Sequence, residues 1–151
     1  MGVPATIAAI YTTAAAQSIA NNTLTIVNFD TKVQDTHNAV TTGAAWKFTA
    51  PAGGFYLVDV IVQFAGTTAW ADAELGSLRM YVNAALVARP DYKDNYGSAS
   101  TVYMKLGGST LVHMNAGDYL DMRVIQTSGA ALALLASATQ NYISIVKFAG
   151  S

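Results

Sequence analysis

Hydrophobic and polar residues alternate along much of this chain, which predicts β-strands with one buried face. The alternation is clearest in Ser77–Asn83 and Tyr119–Gln126, where leucine, methionine and valine occupy every second position. The longest candidate strand is Phe55–Phe64, whose even-numbered residues are all apolar or aromatic and are predicted to face a core. Its odd-numbered residues combine phenylalanine, leucine and isoleucine with Asp59 and Gln63, so they form the opposite face.

Glycine and proline separate these runs and predict the turns. Pro51 cannot donate a ladder hydrogen bond, and Gly53 and Gly54 permit positive φ, so we expect a corner before the long strand. Asp91–Gly97 is predicted to be a polar loop and Gly107–Gly108 a tight turn. Eight or more strands without an amphipathic helix predict an all-β fold, a sandwich or a barrel.

Two predicted strands, Phe55–Phe64 and Asn141–Phe148, are apolar on both faces. A strand in a two-layer sandwich has one core face, so a second apolar face needs another partner. We predict a neighbouring subunit there, the alternative being a cover of loops. The apolar run Ala130–Ala138 is predicted to lie along a subunit contact or to form a buried strand. The residues predicted for the core or the subunit interface are Phe55, Tyr56, Phe64, Tyr142, Ile143, Ile145 and Phe148.

Charge is scarce in the composition, at 11% of 151 residues against about 25% in an average soluble domain. This scarcity also favours a surface hidden between copies of the chain. The net charge is −1 and the eight lysines and arginines are scattered singly, which argues against nucleic acid as a partner. There are no cysteines, and no apolar run approaches the roughly 20 residues of a membrane span. The N-terminus has no basic segment followed by a long apolar core, so no secretory signal is expected.

Catalytic motifs are missing from the sequence, which contains neither a G-x-S-x-G elbow nor an H-E-x-x-H, G-x-G-x-x-G or phosphate-binding-loop pattern. His37 and His113 are expected to be structural or hydrogen-bonding residues. Asp118 and Asp121 have opposite strand parity, so they cannot converge as an acid/base pair. We therefore predict that the protein is not an enzyme.

Carboxylates in two predicted loops are the candidates for a metal site. Their oxygens have the hardness that calcium prefers, but their density is below that of a dedicated calcium loop, so the alternative is a solvated face. No cofactor other than calcium is expected. The residues are Asp72 and Glu74 in one loop, and Asp91 and Asp94 in the other.

Aromatic residues in polar loops are the candidates for ligand binding. Trp70, Tyr92 and Tyr96 lie in such loops, where aromatic side chains often anchor a protein or a sugar ring. The alternative is that these rings pack back over the sandwich or into the subunit interface.

Five segments in register resemble the globular heads of complement C1q and the TNF-like jelly rolls. The resemblance implies a single-domain antiparallel jelly-roll sandwich of ten strands that assembles as a homotrimer, with calcium near the trimer apex in some members. The chain has no collagen stalk, which argues against a complement-like role. The segments are Val27–Asp30, Thr42–Tyr56, Leu78–Asn83, Asn115–Leu120 and Tyr142–Phe148.

The stretch Asn28–Gly43 is similar to the stand-alone versions of this domain in structural proteins of tailed bacteriophages. That resemblance implies a virion protein assembled in the host cytoplasm, a trimeric knob that decorates the capsid or forms part of a fibre or tail. Its partners would be other virion proteins and, where it contacts the host, a cell-surface receptor or glycan. Residues 1–22 are predicted to be an N-terminal arm with a first strand, and residues 23–151 are predicted to be the jelly roll. Within the arm, Met1–Ile10 is predicted to attach the protein to the particle. The alternative is a free trimeric C1q-like protein with lectin-like loops.

Overall fold

Strands and turns make up the described part of the chain in a computed structural model, which covers residues 6–65, 69–71, 73–95, 100–101 and 104–150. No helix in these ranges is long and apolar enough to cross a bilayer. The fifteen strands are β1 Ala8–Thr12, β2 Gln17–Ile19, β3 Thr25–Ile26, β4 Thr31–Asp35, β5 Val40–Thr41, β6 Lys47–Thr49, β7 Gly54–Gln63, β8 Ala69–Trp70, β9 Leu75–Val82, β10 Ala85–Asp94, β11 Ser100–Thr101, β12 Lys105–Met114, β13 Tyr119–Gln126, β14 Leu132–Leu134 and β15 Tyr142–Ala149.

Two antiparallel sheets pack face to face. The five-stranded sheet has the order β12-β7-β15-β1-β4, and the six-stranded sheet has the order β10-β9-β13-β6-β5 with β3 beside β13. Two short pairs, β14 with β2 and β11 with β8, lie outside these sheets. Apart from the consecutive pairs β9 with β10 and β5 with β6, neighbours in these two sheets come from distant parts of the sequence, so most of the packing depends on long-range pairing.

The core lies between the sheets and follows the predicted parity of β7. Tyr56, Val58, Val60 and Val62 are fully buried, while alternate residues of the strand reach the surface. Because side chains alternate across a strand, one apolar series on β7 is enough to fix which face of the sheet is inside.

Aromatic rings fill one end of this core. The Trp46 ring lies edge-on to those of Phe29 and Tyr11, with centroids 5.3 and 6.3 Å away. Its indole Nε1 donates to the carbonyl of Phe29 at 3.1 Å, so the buried polar atom has a partner. Phe48 packs edge-on against Tyr56 in the same way.

The predicted corner between Pro51 and Gly54 is present. Gly54 has φ +148°, and a Cβ atom there would collide with the carbonyl oxygen of Ala149 and the side chain of Lys147. The Tyr56 hydroxyl donates to the carbonyl of Ala52 at 2.6 Å and ties the long strand back to the corner. Glycine is therefore required by both backbone conformation and space.

The turn expected at Gly107–Gly108 was wrong, because both glycines lie inside the continuous strand β12. A Cβ at Gly107 would stand 2.9 Å from Cγ1 of Ile61, and one at Gly108 would stand 2.7 Å from the carbonyl oxygen of Pro90. The glycines allow β7 and β10 to approach β12 closely; they do not reverse the chain.

The loop expected at Asp91–Gly97 was also wrong in its first half, since β10 continues to Asp94. This strand is at a sheet edge and contains two register shifts, one of which includes Pro90. Proline is tolerated at an edge and at a bulge, so Pro90 does not end the strand. The carboxylate of Asp91 accepts the backbone N–H of Gly107 at 2.9 Å and links β10 to β12.

The N-terminal segment and the apolar run Ala130–Ala138 both contribute strands to the fold. Strand β1 lies between β15 and β4, so Ala8–Thr12, inside the segment predicted as an arm with a first strand, is part of the five-stranded sheet. Of the two alternatives for Ala130–Ala138, the buried strand holds in its centre. Leu132 and Leu134 are buried in β14, which pairs with β2.

Candidate subunit interface

The outer face of the five-stranded sheet carries an apolar surface on its three adjacent strands β12, β7 and β15. Leu111, Leu57 and Val146 are cross-strand partners and form one apolar row. Leu57 is 43% exposed and Leu111 is 53% exposed. Beside this row the ring of Phe55, 39% exposed, packs edge-on against His113 with centroids 5.1 Å apart.

A second row on the same face lacks a side chain on β12, because its residue there is glycine. Ile61 lies between Gly107 on β12 and Tyr142 on β15. The missing side chain at Gly107 leaves Ile61 uncovered by its own sheet on that side. Between the two rows run Asp59 and its neighbour Ser109, whose hydroxyl donates to the carboxylate at 3.2 Å. We name the outer surface of β12, β7 and β15 the apolar face.

Solved structures resemble this arrangement over nearly the whole chain, whereas no family model and no curated protein matches the sequence. Eiger TNF of S. frugiperda superposes with a TM-score of 0.67 at 16% identity, covering 97% of this chain and 94% of its own. Murine APRIL at pH 5.0 gives 0.65 at 14% identity, with 95% and 100% covered. The globular domain of zebrafish complement 1qA gives 0.59 at 12% identity, with 97% and 98% covered.

The fold is the TNF- and C1q-like jelly roll. The predicted fold class, an all-β antiparallel jelly-roll sandwich, is thereby confirmed. The similar structures are TNF- and C1q-type domains and not enzymes, which agrees at a coarse level with the prediction that this protein is not an enzyme.

The jelly roll divides the predicted core and interface residues into two groups. Tyr56, Phe64, Ile143 and Ile145 are buried between the sheets, and three others face outward: Phe55, the half-buried Tyr142 and Phe148. Phe148 is the most exposed, at 72%, because a register shift between Lys147 and Ala149 places it in a bulge.

Leu57 and Leu111 belong to the apolar face although the sequence prediction did not name them as site residues. Leu57 could have been found from the parity of β7, since it lies two positions from Phe55. Leu111 could not, because the turn expected at Gly107–Gly108 separated it from the register of β12.

The three aromatic loop candidates differ in their surroundings. Trp70 is 1% exposed and packs edge-on against Phe64 with centroids 6.1 Å apart, so it packs back onto the sandwich and is not a surface anchor. Tyr92 is 48% exposed on β10, opposite Ser77. Tyr96 lies outside the described residues. Of the two candidates that the structure describes, Tyr92 is the one at the surface.

The acidic candidates accept hydrogen bonds from the backbone. Glu74 accepts the N–H of Ala71 at 2.6 Å, and Asp91 accepts those of Tyr92 and Gly107. Asp94 is half-buried on β10, and Asp72 lies outside the described residues. In the described ranges no three histidine or carboxylate side chains converge as a metal site. Calcium binding stays a prediction.

The remaining polar candidates take part in local hydrogen bonds or ion pairs. His37 lies at the surface with Nδ1 2.8 Å from the Thr36 hydroxyl. Asp118 closes its turn by accepting the N–H of Asn115 at 2.8 Å and the side-chain amide of Asn83 at 2.9 Å. The hydrogen bond from Asn83 is the main reason that the pKa of Asp118 is lowered. Asp121, on the opposite face of β13 from Leu120, pairs with Arg123.

One carboxylate organises the loop between β4 and β5. Asp35 accepts the N–H groups of Ala39 and Val40 at 2.9 and 3.0 Å and the hydroxyl of Tyr11 at 2.9 Å. Burial acts to raise the pKa of Asp35, but these hydrogen bonds outweigh it and hold the pKa below 3.8. Burial, followed by the bond to Asp35, raises the pKa of the Tyr11 hydroxyl. The pair stabilises the fold in the ionised state of Asp35.

Proposed function

We propose that this chain is a structural protein of a bacteriophage virion, a homotrimeric jelly-roll knob on the capsid or in a fibre or tail. The observation that carries the proposal is the apolar face, because it extends over three adjacent strands of one sheet, the edge strand β12 and the interior strands β7 and β15, and does not consist of loops. A surface of this kind is covered in most soluble proteins.

A second copy of the chain is the occupant that the composition favours. The described residues of the apolar face include two full charges, Asp59 and Lys105, which fits an obligate contact between like subunits. Closed symmetry is the usual arrangement of soluble homo-oligomers, and the TNF- and C1q-like resemblance implies a threefold axis.

The virion assignment is supported by the stretch Asn28–Gly43, which resembles the phage versions of the domain. Its polar residues hold the local backbone. The side chain of Asn28 accepts the N–H of Gly43 at 2.9 Å, and Asp35 organises the loop between β4 and β5 as described above. The motif therefore encodes a particular connection between the two sheets, which supports a relation to proteins that share it.

A free trimeric binding protein is the second candidate. The observation that favours it is the exposed ring of Tyr92 on β10, which could contact a sugar or a protein. The buried position of Trp70 removes one of the three anchors on which this function was predicted.

Light scattering on the purified chain, with and without a calcium chelator, tests the assembly. A mass three times 15.8 kDa is expected, and a monomer at micromolar concentration would contradict the trimer. A mass that falls on chelation would show that calcium takes part. Immunogold labelling of particles produced from the genome that encodes the chain tests the location. Labelled capsids, fibres or tails are expected, and unlabelled particles beside labelled soluble protein would favour the free binding protein.

A further inference from the structure

All three arginines of the chain lie side by side on the outer face of the six-stranded sheet. Arg79 on β9 is the cross-strand partner of Arg123 on β13. On the other side of Arg79, the register of β10 passes from the pair of Ala88 with Met80 to that of Asp91 with Leu78, so Arg89 and Pro90 together lie opposite Arg79 in a bulge. Neighbouring strands are about 4.8 Å apart, so the three side chains start as close neighbours. We name them the arginine row.

Carboxylates of the described residues neutralise only one arginine of this row. Arg123 is matched, because its Nε donates to Asp121 at 2.7 Å, its Nη2 donates to the same carboxylate at 3.2 Å, and its guanidinium lies 4.0 Å from the Tyr81 ring centroid. Arg79 donates from Nε to the Ser77 hydroxyl at 3.3 Å. Among the described residues, Arg79 and Arg89 have no carboxylate partner.

Like charges placed directly opposite each other on a sheet are destabilising, so a row of this kind is unfavourable for folding alone. Lysine or a neutral residue would satisfy an exposed strand position equally well. Arginine differs by its planar fork, which pairs with two oxygens of a carboxylate, sulfate or phosphate group. The guanidinium groups of Arg79 and Arg89, which have no carboxylate partner among the described residues, therefore indicate an oxyanion ligand.

Aromatic rings flank the row on both sides. Tyr81 lies two residues beyond Arg79 along β9, and Tyr92 lies opposite Ser77, two residues before Arg79. The Tyr92 side chain is 48% exposed. The exposed ring of Tyr92 beside arginine forks suits a ligand that has both apolar ring faces and acidic groups, which is the chemistry of an acidic sugar.

We propose that the arginine row and Tyr92 bind an acidic polysaccharide whose sugars bear carboxylate or sulfate groups. The row is three residues wide on a chain with a net charge of −1, whereas DNA-binding surfaces typically neutralise roughly 6–10 phosphates. The site lies on the sheet opposite to the apolar face, so it stays open when copies of the chain pack through that face. It is complete within one chain and does not rest on the virion assignment.

The test measures binding of the full chain to four polymers at one salt concentration by biolayer interferometry. The polymers are polygalacturonate, dextran sulfate, neutral dextran and a short DNA duplex. Binding to polygalacturonate or dextran sulfate and none to dextran is expected, and the stronger of the two identifies the acidic group. Arg79→Gln and Arg89→Gln should each weaken binding about tenfold, the loss of one charge-assisted contact.

Lys32→Gln is the matched control, since Lys32 is exposed on β4 of the other sheet and its replacement removes the same charge. It should change binding less than about twofold, because exposed charges beyond a Debye length are screened. Tyr92→Ala should weaken binding to the sugar polymers.

Three results would overturn the proposal. The first is no binding of either acidic polymer, and the second is an equal loss in Lys32→Gln, which would mean diffuse charge attraction. The third is tighter binding of DNA than of both acidic polysaccharides, which would identify a nucleic-acid surface.

Discussion

The apolar face can be tested by removing its two leucines and comparing the result with an equal change elsewhere. Leu57→Ser and Leu111→Ser together remove side chains that are 43% and 53% exposed, about one whole leucine of surface. Burying a leucine contributes about 2 kcal/mol, so three subunits lose about 6 kcal/mol per trimer. Because a tenfold change in an equilibrium constant corresponds to about 1.4 kcal/mol, the trimer dissociation constant should rise by about 10⁴.

The measurement is the protein concentration at which half of the chains are trimeric. For a monomer–trimer equilibrium this concentration varies as the square root of the dissociation constant, so it should rise about a hundredfold. Sedimentation velocity over a dilution series gives the midpoint. Circular dichroism should show that the monomer stays folded, since substitutions at exposed positions usually change stability by less than about 0.5 kcal/mol.

The chain supplies a matched control on the other sheet. Leu86 and Val87 on β10 are 42% and 48% exposed, nearly the same as Leu57 and Leu111. Leu86→Ser with Val87→Ser removes a similar apolar area from a surface that we place outside the interface. Equal midpoints for the two double variants, shifted or unshifted, would refute the assignment of the apolar face.

Three further predictions concern the fold. Gly108→Ala should lower the free energy of unfolding by about 1–3 kcal/mol in urea titrations, because its Cβ would lie 2.7 Å from the backbone oxygen of Pro90. Gly53→Ala is the control, since its Cβ would make ordinary contacts of 3.8 Å, and an equal loss there would contradict the packing argument. Asn141→Leu should cost about 1–3 kcal/mol by the same assay, since the buried side chain of Asn141 accepts the N–H of Gln63 at 2.8 Å and a leucine leaves that N–H unpaired. The lowered pKa of Asp35 stabilises the folded state above pH 3.8, and this stabilisation is lost as pH falls through the folded-state pKa. Asp35→Asn should therefore be less stable at neutral pH and flatten the acid limb of stability against pH, and an unchanged acid limb would contradict this role.

The sequence predicts the fold best where one face of a strand is strictly apolar. In β7 the buried series from Tyr56 to Val62 alternates without exception, so parity and core face are both read correctly. It fails at Gly107–Gly108, because a glycine that allows close approach has the same local sequence as one that allows a turn. Position 108 needs glycine because the backbone of Pro90, eighteen positions away in the sequence, leaves no room for a Cβ atom.

The candidate sites were predictable to different extents. The doubly apolar pattern of β7 and β15 indicated a second partner surface, although it could not separate core residues such as Ile143 from exposed ones such as Phe148. Local pattern assigns each residue a parity, and a bulge such as that at Phe148 changes exposure without changing composition. The arginine row could not be predicted, because the position of Arg89 opposite Arg79 depends on register shifts within β10.

The two outer surfaces of the sandwich differ in composition: one is largely apolar, and the other carries the arginines. A domain exposed to water on both sides does not require this difference. On the described residues of the five-stranded sheet, the three strands of the apolar face present leucine, phenylalanine and isoleucine around Asp59. On the six-stranded sheet, every arginine of the chain is gathered beside exposed tyrosine. If both faces met water alone, the few charges would stabilise solubility best when spread over both. The clustering of all three arginines on the sheet opposite the apolar face is expected when one sheet is buried between copies and the other stays open to a ligand, so the proposed trimer and the proposed polysaccharide site account for the same distribution of arginine.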